Sequence, residues 1–181
     1  RLAVGITGHR GGNPALADGS HIAAALAGIF AEIESALAAE SAATPALQVQ
    51  STRLHTLLAH GVDQMAASAA DALDWEIVAP LPFGRVLNIA INAQPQLHAD
   101  VMALLAGGEA SDLAVQARAH GIRHWSARAR LFELADRDAE IAALFEAMHL
   151  SPGDAVRTRH FHTAAAAQAA LAGRIMVEQS D

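Results

Sequence analysis

Val4-Gly5-Ile6-Thr7-Gly8-His9-Arg10 is the stretch that decides how this chain is read. Leu2 to Thr7 forms an apolar run of strand length. Two glycines then allow a sharp turn and a close approach of backbone to a guest. An imidazole and a guanidinium follow directly, and the guanidinium is permanently charged and forked to match phosphate or carboxylate. The layout is that of an anion-binding strand end.

Outward from that point, the loop Gly8 to Ser20 is rich in Gly, Asn, Pro and Asp and longer than most strand-to-helix connections. Ile22, Leu26, Ile29, Ile33 and Leu37 recur at helical spacing and predict a helix to about Glu40, capped by Asp18 or Ser20. Thr44-Pro45 interrupts the chain. Leu54 to Ala59 reads as a second strand, and Gly61-Val62-Asp63 opens an alanine-rich helix to about Leu73. Trp75 to Leu81 reads as a third strand, closed by Pro82-Phe83-Gly84-Arg85. Strands alternating with helices imply right-handed crossovers and a mostly parallel sheet.

The second half is helix-rich. Leu97–Ala106 and Asp112–His120 read as short helices either side of Gly107-Gly108, Leu131–Leu134 as a fourth strand, and Ile141 to Met148 as a helix. Ser151-Pro152-Gly153-Asp154 reads as the start of a last helix, with Ser151 as its cap. The expected architecture is one three-layer α/β domain over residues 1–181.

Composition narrows the function classes. All twelve basic residues are Arg, against nineteen acids, for a net charge of −7. A negative chain without basic clusters is poorly suited to nonspecific nucleic-acid binding or to anionic membrane surfaces. No stretch is expected to reach the ~20 apolar residues of a membrane span. Cysteine is absent, so no disulfide, thiol nucleophile or thiolate metal site exists. That absence fits the cytoplasmic location expected for it, and the abrupt start Arg1-Leu2-Ala3, with neither an initiator Met nor a signal-peptide pattern, is expected of a portion of a longer protein. Alanine-rich helices leave homo-oligomerisation open.

Ligands of parallel sheets gather beyond the carboxyl ends of the strands, near a switch in strand order. Three strand ends carry unusual residues: Gly8-His9-Arg10, His60-Gly61-Val62-Asp63-Gln64 and Pro82-Phe83-Gly84-Arg85. If the strands are neighbours, the three loops share one crevice. Amides after Gly61 would favour a phosphate, Arg10 or Arg85 would complete the charge, and Asp63 would hold a ribose hydroxyl or orient an arginine. Pro82, Phe83 and Arg85 would wall the crevice. Each loop also has a plain reading: glycines for tight turns, Asp63 as a first-turn helix charge, Pro82-Phe83 as a strand stop with a core ring. The coincidence of three loops carries the functional case.

Other chemistries fit poorly. Gly5, Gly8 and Gly11 are three apart, so the G-x-G-x-x-G dinucleotide fingerprint is missing, and a Walker motif is impossible without Lys. No G-x-S-x-G or H-E-x-x-H occurs. His120 and His124 share a helical face but lack further ligands, and Gly121 between them is expected to end the helix. Trp75 and Trp125 read as core or helix-packing rings.

Gly5-Ile6-Thr7-Gly8-His9-Arg10, Leu58-Ala59-His60-Gly61-Val62-Asp63-Gln64 and Ala79-Pro80-Leu81-Pro82-Phe83 together resemble the SLOG superfamily, which includes Smf/DprA and the Lonely Guy enzymes. The resemblance is strongest over residues 1 to 90. Ala129 to Asp136 and Arg174 to Asp181 resemble a bacterial branch of that group, in which a further strand and glycine-rich loop would follow. It implies a Rossmann-like fold binding a nucleotide or a nucleotide-derived molecule such as an ADP-ribose product. Gly8, His9 and Arg10 would lie at the first ligand loop, and Gly61, Asp63 and Gln64 at the second. Lonely Guy enzymes cleave the N-glycosidic bond with a P-G-G-x-G-T-x-x-E segment that these residues lack. The expectation is therefore ligand sensing without bond breaking by this segment. The rivals are a nucleoside-monophosphate phosphoribohydrolase completed by residues beyond 181 and a structural or oligomerisation domain.

Overall fold

A computed structural model describes residues 1–8, 19–44 and 51–180. Four parallel strands lie side by side in chain order: β1 (Leu2–Gly5), β2 (Thr52–His55), β3 (Glu76–Leu81) and β4 (Arg130–Glu133). Gly5 pairs with His55, His55 with Val78, and Val78 with Arg130, so the carboxyl ends form one rim. The predicted α/β architecture is present, but the described sheet contains no reversal of strand order. The crevice that such a reversal would create is absent from it.

Alternation along the strands sorts the faces. Leu54, Ile77, Ala79 and Leu81 point into an apolar cluster beneath α1 (Gly19–Ala43) and α2 (Val62–Asp71). Small Ala66, Ala67 and Ala70 let α2 settle against the sheet. Trp75 closes the cluster. It stacks on Phe30 with centroids 4.6 Å apart, and its indole nitrogen donates to Glu34 Oε1 at 2.6 Å. The predicted core role holds for this ring.

A second buried cluster lies among α3 (Arg85–Asn92), α4 (His98–Leu105), α5 (Leu113–Arg128), α6 (Asp138–Leu150) and α7 (Ala155–Glu178). Val101, Val115, Ile122, Ile141 and Phe145 form its centre. The last helix, α7, covers the opposite sheet face as the third layer. Gln168 Nε2 donates to Leu134 O at 2.9 Å, and Ser180 abuts Gly5.

Several boundaries differ from expectation. β2 ends at His55 because Leu58 takes a left-handed φ of 54°, which a strand cannot accommodate. α3, unforeseen, occupies residues that carried no assignment. α5 runs through Gly121 to Arg128, so this glycine does not end the helix. Asp154, not Ser151, caps α7, accepting from Val156 N at 2.9 Å and Arg157 N at 3.1 Å. Ser20 lies inside α1, which begins at Gly19. α1 also corrects the membrane-span expectation: its 25 residues pass the length and composition test, with a mean hydropathy of 1.7 over the qualifying window. Its many alanines raise the hydropathy without the bulk of Leu or Ile. One side of α1 packs through Leu26 and Phe30.

Candidate functional site

The rim begins where β1 gives way to Gly8. Ile6 N still donates to His55 O at 3.0 Å, so the chain stays beside β2 almost to that glycine. A Cβ added at Gly8 would lie 2.6 Å from Val62 Cβ. Only glycine permits this approach, and it sets Gly8 against the opening turn of α2. His9 and Arg10 lie outside the described residues.

The second loop is tightly folded on itself. Thr56 N donates to Val78 O at 3.1 Å, Leu58 N to Thr56 Oγ1 at 3.3 Å, and Ala59 N to Asp63 Oδ2 at 3.1 Å. Gly61 takes φ 117° and ψ −128°, a conformation that essentially requires glycine, and its carbonyl receives the amides of Gln64 and Met65. Asp63 is buried and turns back to hold Ala59. That contact fixes the carboxylate at the foot of the turn.

The third loop is organised differently. Phe83 is 1% exposed and belongs to the helical cluster, and Pro82 beside it is also buried. This corrects the reading of Pro82 and Phe83 as crevice walls, because apolar burial outcompetes exposure of the ring at the rim. The amides opening α3 already have anionic partners: Gly84 N donates to Asp138 Oδ2 and Arg85 N to Glu133 Oε2, both at 2.9 Å. The Arg85 guanidinium lies 3.8 Å from the same Glu133. The sequence reading offered Arg85 to a ligand, whereas the fold directs it to a carboxylate. Burial pushes the Asp138 carboxyl above its ordinary range, the Gly84 amide opposes this, and Glu133 and Asp136 add to the rise.

Beside the second loop lies a groove of about 730 Å³, within the usual range of ligand pockets. It runs along the outer face of α2 from His60, Gly61 and Gln64 to Ser68 and Ala72, with Ala23 and Ala27 of α1 on one side and Trp125 of α5 on the other. Gly121 brings α5 close: a Cβ there would lie 2.8 Å from Gln64 Oε1. Burial, then the Arg118 guanidinium, lowers the His60 pKa from its ordinary value, against an opposing contact with Gln64. His60 was therefore a missed candidate, signalled only by its position directly before Gly61. Trp125, read from sequence as a packing ring, also borders open space.

Among the described residues, no group of three or more His, Cys, Asp or Glu side chains could hold a metal ion. His120 instead approaches Glu109 at 3.2 Å, and the His124 ring meets the Trp125 ring edge-on at 4.9 Å. Comparison with protein-family models, curated proteins and solved structures finds no match to this chain.

Proposed function

We propose that the chain is a SLOG-like sensor domain that binds a nucleotide-derived small molecule, such as a nucleotide or an ADP-ribose product, at the β1–β2 half of the rim. The observation that carries this reading is the seating of Gly8, which directly precedes His9 and Arg10 in the sequence, against Val62 in the first turn of α2. A helix start favours a negative charge, and the adjoining loop supplies a guanidinium from Arg10. In the proposal Gly8 and Gly61 allow close approach, His9 and Arg10 meet phosphate, and the guest is held without bond breaking by this segment. The β3–β4 half is unsuited to the same anion, since Glu133, Asp136, Asp138 and Glu140 there outnumber Arg85 and Arg137. The net charge of −7 supports a small-molecule partner over nucleic acid or an anionic membrane surface.

Isothermal titration with AMP and ADP-ribose against wild type and Arg10→Ala tests the reading. Wild type is expected to bind one of them, and the variant to bind at least about tenfold more weakly, the scale of a lost charged hydrogen bond. Equal affinity in both proteins, or no binding by either, would overturn it. Release of free base from AMP during the titration would replace sensing with the phosphoribohydrolase reading.

A further inference from the structure

Resting on that ligand class, we propose that the groove along α2 holds a flat heteroaromatic ring, with His60 and Gln64 reading its polar edge and Trp125 lying against its body. The first argument is continuity. His60, Gly61 and Gln64 line the groove and lie at the start of the helix whose Val62 meets Gly8, so a guest anchored at the rim reaches the groove without crossing the sheet.

The second argument is unmet hydrogen bonding. His60 Nδ1 and Gln64 Nε2 are shielded from solvent and have no partner among the described residues. A buried polar atom without a hydrogen bond is costly, so a guest that supplies the missing partners is favoured at these two atoms. The low pKa of His60 supports the same role: a neutral imidazole offers one donor and one acceptor, matching the alternating edge of a nitrogen heterocycle.

Shape supplies the third argument. Ala23, Ala27, Ser68 and Ala72 contribute little bulk, which leaves a trough beside a partly exposed indole, and aromatic rings pack favourably against such a face. Trp75 cannot serve this purpose, being stacked on Phe30 and bonded to Glu34.

The test compares AMP, ribose 5-phosphate and adenosine by titration and by tryptophan fluorescence, with Trp125→Phe as the control for signal origin. AMP is expected to bind at least about tenfold more tightly than ribose 5-phosphate, one stacked and hydrogen-bonded ring being worth that much. Gln64→Ala and Ser68→Trp, the second filling the trough without removing a polar group, are expected to erase that preference and leave ribose 5-phosphate within twofold. Equal binding of AMP and ribose 5-phosphate by wild type would overturn the ring site and leave the phosphate site standing. Quenching of Trp125 by adenosine, with no gain from the phosphate, would uphold the ring site and remove the rim reading. Absence of binding by all three would overturn both.

Discussion

Two helices start at neighbouring points of the rim, α2 after β2 and α3 after β3, and their first turns are satisfied in contrasting ways. At α3, carboxylates from a distant part of the chain bind the amides of Gly84 and Arg85. At α2, Asp63 turns back to the preceding loop, and Gly8, just beyond β1, closes in from the side. The contrast teaches that a glycine at a strand end followed by a helix is not yet an anion site. What decides is whether the fold has already delivered a carboxylate to the amides. At α3 it has, so a phosphate would have to displace two internal acids.

The largest effect in breaking this contrast is expected from Gly8→Ala. Its new methyl collides with Val62 and should cost about 1–3 kcal/mol in a urea titration, as overpacking does. The double variant with Val62→Ala should recover part of that loss, and strict additivity would refute the contact. Asp63→Ala comes next. The variant leaves the Ala59 amide without its partner in a half-buried turn and should lower unfolding free energy by about 1 kcal/mol in the same titration. An unchanged midpoint would show that Asp63 does not hold the turn.

A smaller effect is expected from Asp138→Asn. A carboxyl raised above its ordinary 3.8 contributes stability that is full below that value and lost as pH rises through the folded pKa. At neutral pH the amide variant should therefore be no less stable than wild type, since its oxygen can still accept from Gly84. A clear loss near pH 7 would mean that the charge itself holds the α3 start. His60 titrates with the opposite sense. Its depressed pKa contributes stability that is full above the ordinary 6.5 and lost as pH falls from there through the folded value. Thermal melts from pH 8 to pH 5 should drop less steeply in His60→Asn than in wild type. Arg85→Ala should change stability least, by under about 1 kcal/mol, because its exposed ion pair is weak.

Much of the frame was legible in the residues. The apolar runs of β1 and β3, each followed by glycine, and the alanine-rich opening after Gly61 placed the first three strands and α2 in order. The partners at the α3 start were not legible, since Glu133 and Asp138 stand 48 and 54 residues from the amides they bind. α3 was not legible because it is only eight residues long and follows directly on the turn that closes β3. Its polar residues gave no correction, for Asn88 and Asn92 are buried and bonded to one another. The groove was equally hidden: its walls come from α1 and α5, and Gly121, which read as a helix end, is instead a point where two helices nearly touch.

Leu81 closes the sheet-side core, Phe83 opens the helical one, and Pro82 is the single residue between them. Each cluster buries its own apolar surface, so the molecule has a seam at which cooperativity can divide. Amide hydrogen exchange should then resolve two protection classes, one for the strands with α2 and another for α3 to α7. Proline stiffens the junction by fixing φ, so loosening of the helical body would be felt first as a tilt at the outlet of β3.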